Sequence, residues 1–266
     1  MKALEQHDLF GLKISIFTKP ELINFIDEAI TENKQQVCFG YSLGYLSLFK
    51  EIPGLYEKTN NWDLMVTDGR YFYWFAQAFG APIKFDISIP FLSELMMQRA
   101  NEKKYSILII GSDDSTNTAA TAHVREMYPN AVVYDGRTGG RFSEQEQVEL
   151  VNYINSVKPD MLFIGTSTPI KENFTEQWKH QLDVRLIIPF GGMIDGLAGK
   201  VKLTPPLMKK LGLATFVRIA QEPRRLLMKN LFQISEFFLK LLPLTIFYRV
   251  LLRKKKFNLI EKYLRR

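Results

Sequence analysis

Asp68, within Thr67-Asp68-Gly69-Arg70, and the arginines Arg218, Arg224 and Arg225 are the side chains of this chain best suited to chemistry. A carboxylate at the end of a strand can serve as a general base when burial and hydrogen bonding poise it. The plainer alternative is a cap on the helix that follows. Arginine offers a planar fork that matches phosphate oxygens. Pro223, in Glu222-Pro223-Arg224-Arg225, interrupts a helical stretch and can redirect the arginines, whose plainer alternative is a solvated basic face. Upstream runs Pro189-Phe-Gly-Gly-Met-Ile-Asp-Gly-Leu-Ala-Gly-Lys200, with glycines that allow close backbone approach to a ligand. Together these residues suit a phosphate-bearing substrate.

Other chemistries find less support. The stretch from Tyr105 through Gly111-Ser112-Asp113-Asp114 reads as a strand, a turn and a helix start, a place to seat a nucleotide diphosphate. It is neither GxGxxG nor a Walker loop, so it does not point to a dinucleotide or to ATP. Asp113 and Asp114 are adjacent and read as helix caps rather than metal ligands. His7, His123 and His180 lack ligand spacing, and Cys38 is the single cysteine, so neither a disulfide nor a thiolate cluster can form within the chain. No metal and no cofactor are expected.

The elements that must position these groups alternate. Gln36–Phe39, Asp63–Thr67, Tyr105–Ile110, Ala131–Tyr134, Asp160–Ile164 and Arg185–Pro189 read as buried strands. Helical patterns fill roughly residues 42–57, 70–80, 90–102, 115–128, 143–157 and 169–182. The predicted fold is α/β: a mainly parallel, Rossmann-like sheet with helices on both faces. Ligand sites in such folds gather at the carboxyl ends of the strands. Here those ends are Gly40-Tyr41-Ser42, Thr67-Asp68-Gly69, Gly111-Ser112-Asp113, Gly165-Thr166-Ser167 and Gly191-Gly192.

After about residue 205 the alternation stops, which divides the chain into a 1–205 α/β domain and a 206–266 helical, basic appendage. Leu207–Arg225 reads as helical. In Leu231–Leu242, Leu231, Ile234, Phe237, Phe238, Leu241 and Leu242 share one face, with Gln233, Glu236 and Lys240 opposite. The 266-residue chain carries a formal charge of +7. Residues 249–266 hold eight basic side chains against Glu261 alone, so the remainder is neutral overall. A nucleic-acid-binding body would carry its basicity on the fold itself; here it sits on the tail, where anionic lipid would attract it. The start lacks the apolar run of a signal peptide, and residues 231–252 are too charged for a membrane span. The expectation is a cytoplasmic protein, peripheral on the inner face of the cell membrane.

These residues together resemble the WecG/TagA/CpsF family of bacterial glycosyltransferases (glycosyltransferase family 26). The matching features are Asp68-Gly69, Gly111, Tyr128-Pro129, Gly139-Gly140 and Gly165 with Pro169…Glu172. They continue with Gly191-Gly192…Asp195…Ala198-Gly199-Lys200 and Glu222-Pro223-Arg224-Arg225-Leu226. The resemblance implies transfer of an N-acetylmannosamine-type sugar, or its uronic acid, from a UDP donor to a polyprenyl-diphosphate-linked sugar. Transfer is expected with inversion and without metal, and with a C-terminal appendage that docks at the membrane. Asp68 would deprotonate the acceptor hydroxyl; Arg218, Arg224 and Arg225 would neutralise the departing diphosphate. Tyr41, Gly111, Ser112, Thr166, Lys171 and Glu172 complete the implied substrate-binding set.

The chain departs from the family pattern at Phe39-Gly40-Tyr41, where Thr-x-Asn is usual, and at Tyr71, often a glycine. It departs again at Leu203-Thr204-Pro205 and at Lys171, where the family carries a polar amide. These positions bear on the sugar pocket more than on the fold. The alternatives are a non-catalytic member of the same fold that tethers partners to the membrane and, more remotely, a nicotinamide-dependent oxidoreductase without its glycine fingerprint. Homo-oligomerisation stays open, and no nucleic-acid partner is expected.

Overall fold

The computed structural model describes residues 2–138, 143–202, 204–205, 207–208, 211–254 and 257–264. Gly139-Gly140, Leu203, Lys255, Lys256, Arg265, Arg266 and the side chain of Arg225 lie outside the described residues.

Six parallel strands form the central sheet: β3 (Gln36–Tyr41), β4 (Leu64–Thr67), β5 (Ser106–Ile110), β6 (Val132–Val133), β7 (Met161–Ile164) and β8 (Leu186–Ile188), in the order β4-β3-β8-β7-β5-β6. Each expected strand is present. The period-2 alternation of a strand sends neighbouring side chains to opposite faces. Thus Leu108, Ile110, Leu162 and Ile164 enter one apolar layer, while Ile107, Ile109, Met161 and Phe163 enter the other. Because every strand of this sheet runs the same way, all its carboxyl ends, and the loops that follow them, share one edge.

Ahead of the sheet stand two elements absent from the sequence reading. An antiparallel hairpin pairs β1 (Glu5–Leu9) with β2 (Leu12–Ile16) around Phe10-Gly11. Helix α1 (Lys19–Thr31) starts at a capping box in which the Thr18 and Glu21 side chains serve each other's backbone N–H groups. The helices that cover the sheet are α2 (Leu43–Glu51), α3 (Leu55–Thr59), α4 (Arg70–Ala78), α5 (Ile89–Lys103), α6 (Asp114–Met127), α7 (Glu144–Val157) and α8 (Ile170–Trp178). The expected 42–57 helix is therefore two helices. Gly54, in a left-handed conformation, makes the break.

The C-terminal part is helical: α9 (Met193–Leu197), α10 (Ala214–Gln221) and α11 (Pro223–Glu236), then wide π turns at Phe237–Leu241 and Phe247–Leu251 flanking α12 (Leu242–Ile246), and finally α13 (Leu259–Leu264). Pro223 opens α11 and breaks it from α10, as its missing N–H requires. This appendage shares a core with the body. Phe237, Leu241, Leu244, Leu259, Ile260 and Tyr263 belong to the same apolar layer as the hairpin, α2 and α4. Phe257 stacks on Phe10 with ring centroids 4.5 Å apart, and Leu259 N–H donates to the Phe10 carbonyl at 2.7 Å.

The expected single apolar face of residues 231–242 is split. Phe237 and Leu241 are buried, whereas Leu231 and Phe238 are each 51% exposed. Glu236, expected on the polar side, is buried and accepts a 2.5 Å hydrogen bond from the Tyr263 hydroxyl and another from Lys240. The wide turn beginning at Phe237 breaks the 3.6-residue register on which the expectation rested. Among the described residues, no helix is long and apolar enough to cross a membrane.

Candidate functional site

Asp68 follows β4 at the carboxyl edge of the sheet. Its own N–H donates to the Tyr41 carbonyl at 2.6 Å, and its Oδ1 accepts from Ile89 N–H, the first residue of α5, at 3.1 Å. It therefore takes the first N–H of α5, whose N-cap is Ser88, and does not cap the helix that follows it; α4 has no side-chain cap. The approach depends on Gly40: a Cβ there would stand 2.5 Å from Ile89 Cγ1 and 2.8 Å from Asp68 Cβ. Protein surrounds the carboxylate closely, although part of the residue stays open to solvent. Burial pushes its pKa up to about 6, against the opposing pull of the Ile89 N–H and the Lys171 ammonium. A carboxylate near 6 is mostly ionised at neutral pH and basic enough to take a proton from a hydroxyl that is losing it.

Lys171 and Glu172, at the start of α8, are 6% and 0% exposed. The Lys171 ammonium donates to Glu172 Oε1 at 2.5 Å, Thr168 Oγ1 at 2.5 Å and the Tyr45 hydroxyl at 2.7 Å. The Tyr45 hydroxyl in turn donates to Glu172 and lies 2.8 Å from Thr168 Oγ1. Burial first, then the neighbouring Glu172 charge, hold the Tyr45 phenol well above its ordinary pKa. Ser42 caps α2 and so sets Tyr45 in the helix's first turn. Sequence reading missed Tyr45. The signal available was the adjacent Lys171-Glu172 pair, which needs polar partners from a neighbouring strand end if it is to be buried.

The Gly191-Gly192 turn after β8 is flanked by Lys171 and Arg218 and by the carboxylate of Asp195. A Cβ on Gly191, at φ +57°, would stand 3.7 Å from Lys171 Cε and 3.6 Å from the Thr166 carbonyl oxygen. A Cβ on Gly192 would stand 3.8 Å from both Arg218 Nη2 and Asp195 Oδ2. Arg218 also pairs with Glu222 at 3.3 Å. The structure thus brings Thr166, Lys171, Arg218 and Asp195 to one turn, with Glu172 bonded to Lys171; Asp68 stands at another strand end of the same sheet edge. Thr166 Oγ1 is buried without a hydrogen-bond partner.

Gly111 and Ser112, at φ +113° and +61°, form the tight exit from β5. A side chain on Gly111 would collide with the Gly165 backbone, 2.7 Å away, so this glycine is needed for strand packing. Asp113 is a cap, as read from the sequence. Hydrogen bonds from the Ser115 and Thr116 hydroxyls, the Thr116 N–H and Lys200 hold its carboxyl well below the usual range. Among the described residues no group of three His, Cys, Asp or Glu side chains is placed to hold a metal ion.

A family model described as the glycosyl transferase WecG/TagA/CpsF family matches residues 7–250. The chain belongs to this family. Among its relatives are three proteins named N-acetylglucosaminyldiphosphoundecaprenol N-acetyl-beta-D-mannosaminyltransferase. The Bacillus subtilis (strain 168) protein is 29% identical over 126 residues, covering 47% of this chain and 48% of the relative. Its Bacillus spizizenii counterpart is 23% identical over 163 residues, 61% and 62% of the two chains. The Staphylococcus aureus (strain MRSA252) protein is 24% identical over 132 residues, half of each. The chain therefore spans between 48% and 62% of the length of these relatives.

Two of the family-derived positions fall elsewhere. Tyr41 is fully buried, with its hydroxyl 2.5 Å from Asn60 Oδ1 and its ring among Phe39, Phe49 and Phe72, so it supports the core and offers a ligand nothing. Its place at a strand end was correct; the alternation of the strand turns the side chain inward. Arg224 is exposed on the first turn of α11, and among the described residues it makes no hydrogen bond or ion pair that draws it to the Gly191-Gly192 turn.

Proposed function

We propose that this protein is an inverting glycosyltransferase that moves a sugar from a UDP donor to a sugar carried on a polyprenyl diphosphate, at a membrane surface and without a metal ion. The observation that carries the reading is a carboxylate, Asp68, pushed by burial up to about 6 at the carboxyl edge of the sheet, the same edge that carries the Gly191-Gly192 turn flanked by Lys171, Arg218 and Asp195. In the reaction the acceptor hydroxyl oxygen attacks the anomeric carbon from the face opposite the diphosphate. A new C–O bond forms as the bond to UDP breaks. Asp68 takes the hydroxyl proton, and the electron pair leaves on the UDP phosphate, where Arg218 supplies counter-charge. Such preorganised charge is worth about 3–4 kcal/mol of barrier per group. A merely tethering member of the fold has no use for a poised carboxylate on the same sheet edge as a charged glycine turn.

The relatives' name joins an N-acetylglucosaminyldiphosphoundecaprenol acceptor to a transferred N-acetylmannosamine, and the same pair is the first to try here. The appendage supports work at a membrane. Among the described residues, fifteen of the twenty most exposed large apolar side chains lie between Leu207 and Leu252. Arg249, Arg253 and Lys254 sit in or just after that stretch. Such a surface fits peripheral attachment to an anionic leaflet, the inner one where UDP-sugars are made. The decisive test offers a panel of UDP-sugars with a lipid-diphosphate-linked N-acetylglucosamine and reads the products by mass spectrometry. A glycosylated lipid product with release of UDP is expected; no product from any donor would refute the reading.

A further inference from the structure

The wall beside Asp68 carries side chains that the transfer step leaves unused. Arg70 opens α4 two residues after Asp68, so the two Cα atoms lie within about 7.6 Å of each other. Both are tied to the segment around the start of α5: Asp68 accepts from Ile89 N–H at 3.1 Å, and Arg70 forms an ion pair with Asp86. That pair is partly exposed, and the N–H donors of a guanidinium outnumber what one carboxylate takes. A Cβ on Gly69, between Asp68 and Arg70, would meet nothing within 4 Å, so the space beside it is open. Along α4, Phe72, Phe75 and Ala76 turn into the core, which leaves Tyr71 and Trp74 outside it. Their rings meet edge to face with centroids 5.6 Å apart, and Trp74 is 46% exposed. Trp74 and Arg70 share a face: a Cβ on Gly212 of the appendage would stand 3.3 Å from Trp74 Cη2 and 3.4 Å from Arg70 Cγ.

An aromatic face edged by an arginine and a carboxylate is suited to a sugar, whose C–H face packs on the rings while its hydroxyls bond the charged groups. The order of the sheet decides which sugar. β4 is an edge strand of the six, two strand spacings or about 10 Å from β8. The Gly191-Gly192 turn after β8, with Lys171 and Arg218 beside it, suits the donor diphosphate, whereas Asp68 after β4 meets the acceptor hydroxyl. We propose that Tyr71 and Trp74, edged by the Arg70–Asp86 pair, bind the pyranose ring of the acceptor. The proposal rests on Asp68 as the base that the acceptor approaches. Tyr71 stands where the family often carries glycine, so part of this wall is the chain's own and bears on which acceptor it takes.

The test uses the full chain with W74A, W74F and Y71G, and a panel of hexoses carried on a diphosphate with a short, water-soluble chain. W74A and Y71G should each raise KM for the short acceptor by about tenfold or more, as loss of a central aromatic contact does. The donor KM should stay within about twofold, vesicle binding should be unchanged, and W74F, which keeps a ring, should recover most of the loss. A W74A variant with native KM for the short acceptor overturns the proposal, including the case where only long-chain acceptors or vesicle binding suffer, the mark of a lipid contact. So does a donor KM that rises as much as the acceptor KM. If W74A does not fold, Y71G carries the same readouts. A second measurement needs no turnover: a short acceptor added without donor should shift the fluorescence of Trp74, the component lost in W74F, while the buried Trp62 stays unaffected. No shift with any hexose of the panel overturns the proposal. Should a hexose shift the Trp74 emission while no donor yields product, the transfer reading falls and the sugar wall stands, so the two fail separately.

Discussion

Asp68 Oδ1 accepts the Ile89 N–H at 3.1 Å, tying the end of β4 to the first residue of α5 across 21 positions of sequence. An asparagine can keep that bond through its own Oδ1 but cannot take a proton. D68N should therefore fold and bind UDP much as the native protein does, while acceptor-dependent turnover falls by roughly 10²–10⁴-fold. Turnover at the native level would remove Asp68 from the mechanism.

The same carboxylate predicts a stability effect of definite sign. Its folded pKa, about 6, lies above the ordinary aspartate value, so the native state binds its proton more tightly than the unfolded chain does. Stability from this group is thus full at low pH and declines as pH rises from about 4 towards 6. At pH 7.5 D68N escapes the cost of burying the charge and should raise Tm by roughly 2–5 °C. At pH 4 the difference should vanish. A D68N variant less stable than the native protein at pH 7.5 would contradict the assigned burial cost.

A metal-independent reaction should survive chelation. Asp113, the most suggestive acidic position in the sequence, has its oxygens occupied by the Thr116 N–H, two hydroxyls and Lys200. Turnover in excess EDTA is expected to match that in buffer. Loss with EDTA and recovery with Mg²⁺ or Mn²⁺ would overturn the metal-free reading.

The sheet was legible because buried parallel strands announce themselves as short apolar runs, and each Gly-bearing strand end fell on the carboxyl edge of the sheet. The hairpin and α1 were not, since Glu5–Leu9 carries Gln, His and Asp and reads as polar until it is paired with β2. At the candidate site, Asp68 could be singled out from residue type and strand position and Lys171 only through the family resemblance, whereas Tyr45 reaches Lys171 only because α2 meets α8. Tyr41 shows the converse. Residue type and location suited a ligand contact, yet side-chain direction, which depends on strand register, sent it to Asn60.

The appendage should unfold with the body. Phe237 is 4% exposed and packs edge-on against Phe75 of α4, with ring centroids 5.3 Å apart. Phe237→Ala removes that ring from a core shared by both parts and should cost about 3–5 kcal/mol. Urea unfolding should show one cooperative transition in the native protein and one, at lower midpoint, in the variant. A second transition, with the body unaffected by the substitution, would mean that residues 206–266 form an independent unit.

Membrane attachment should depend on two separable contributions. Leu239 and Leu251 are 74% and 69% exposed, so neither supports the core, and replacing both with glutamate should leave thermal stability nearly unchanged. Binding to vesicles containing anionic lipid should nonetheless collapse, because each change removes apolar surface and adds repulsion. Neutralising Arg253 and Lys254 to glutamine should act more mildly, at about 1 kcal/mol per charge near the surface, or roughly tenfold or more for the pair. That second effect should fade at high salt, as screening shortens the reach of the charges to a few ångströms, while the leucine effect should persist. Activity on a short, water-soluble acceptor should be retained in both variants, since neither touches Asp68, Lys171 or Arg218. Sedimentation with vesicles across a salt series measures the first part, and turnover on long and short acceptors measures the second. Equal vesicle binding by the native protein and the Leu239→Glu, Leu251→Glu variant would rule out this surface as the point of contact.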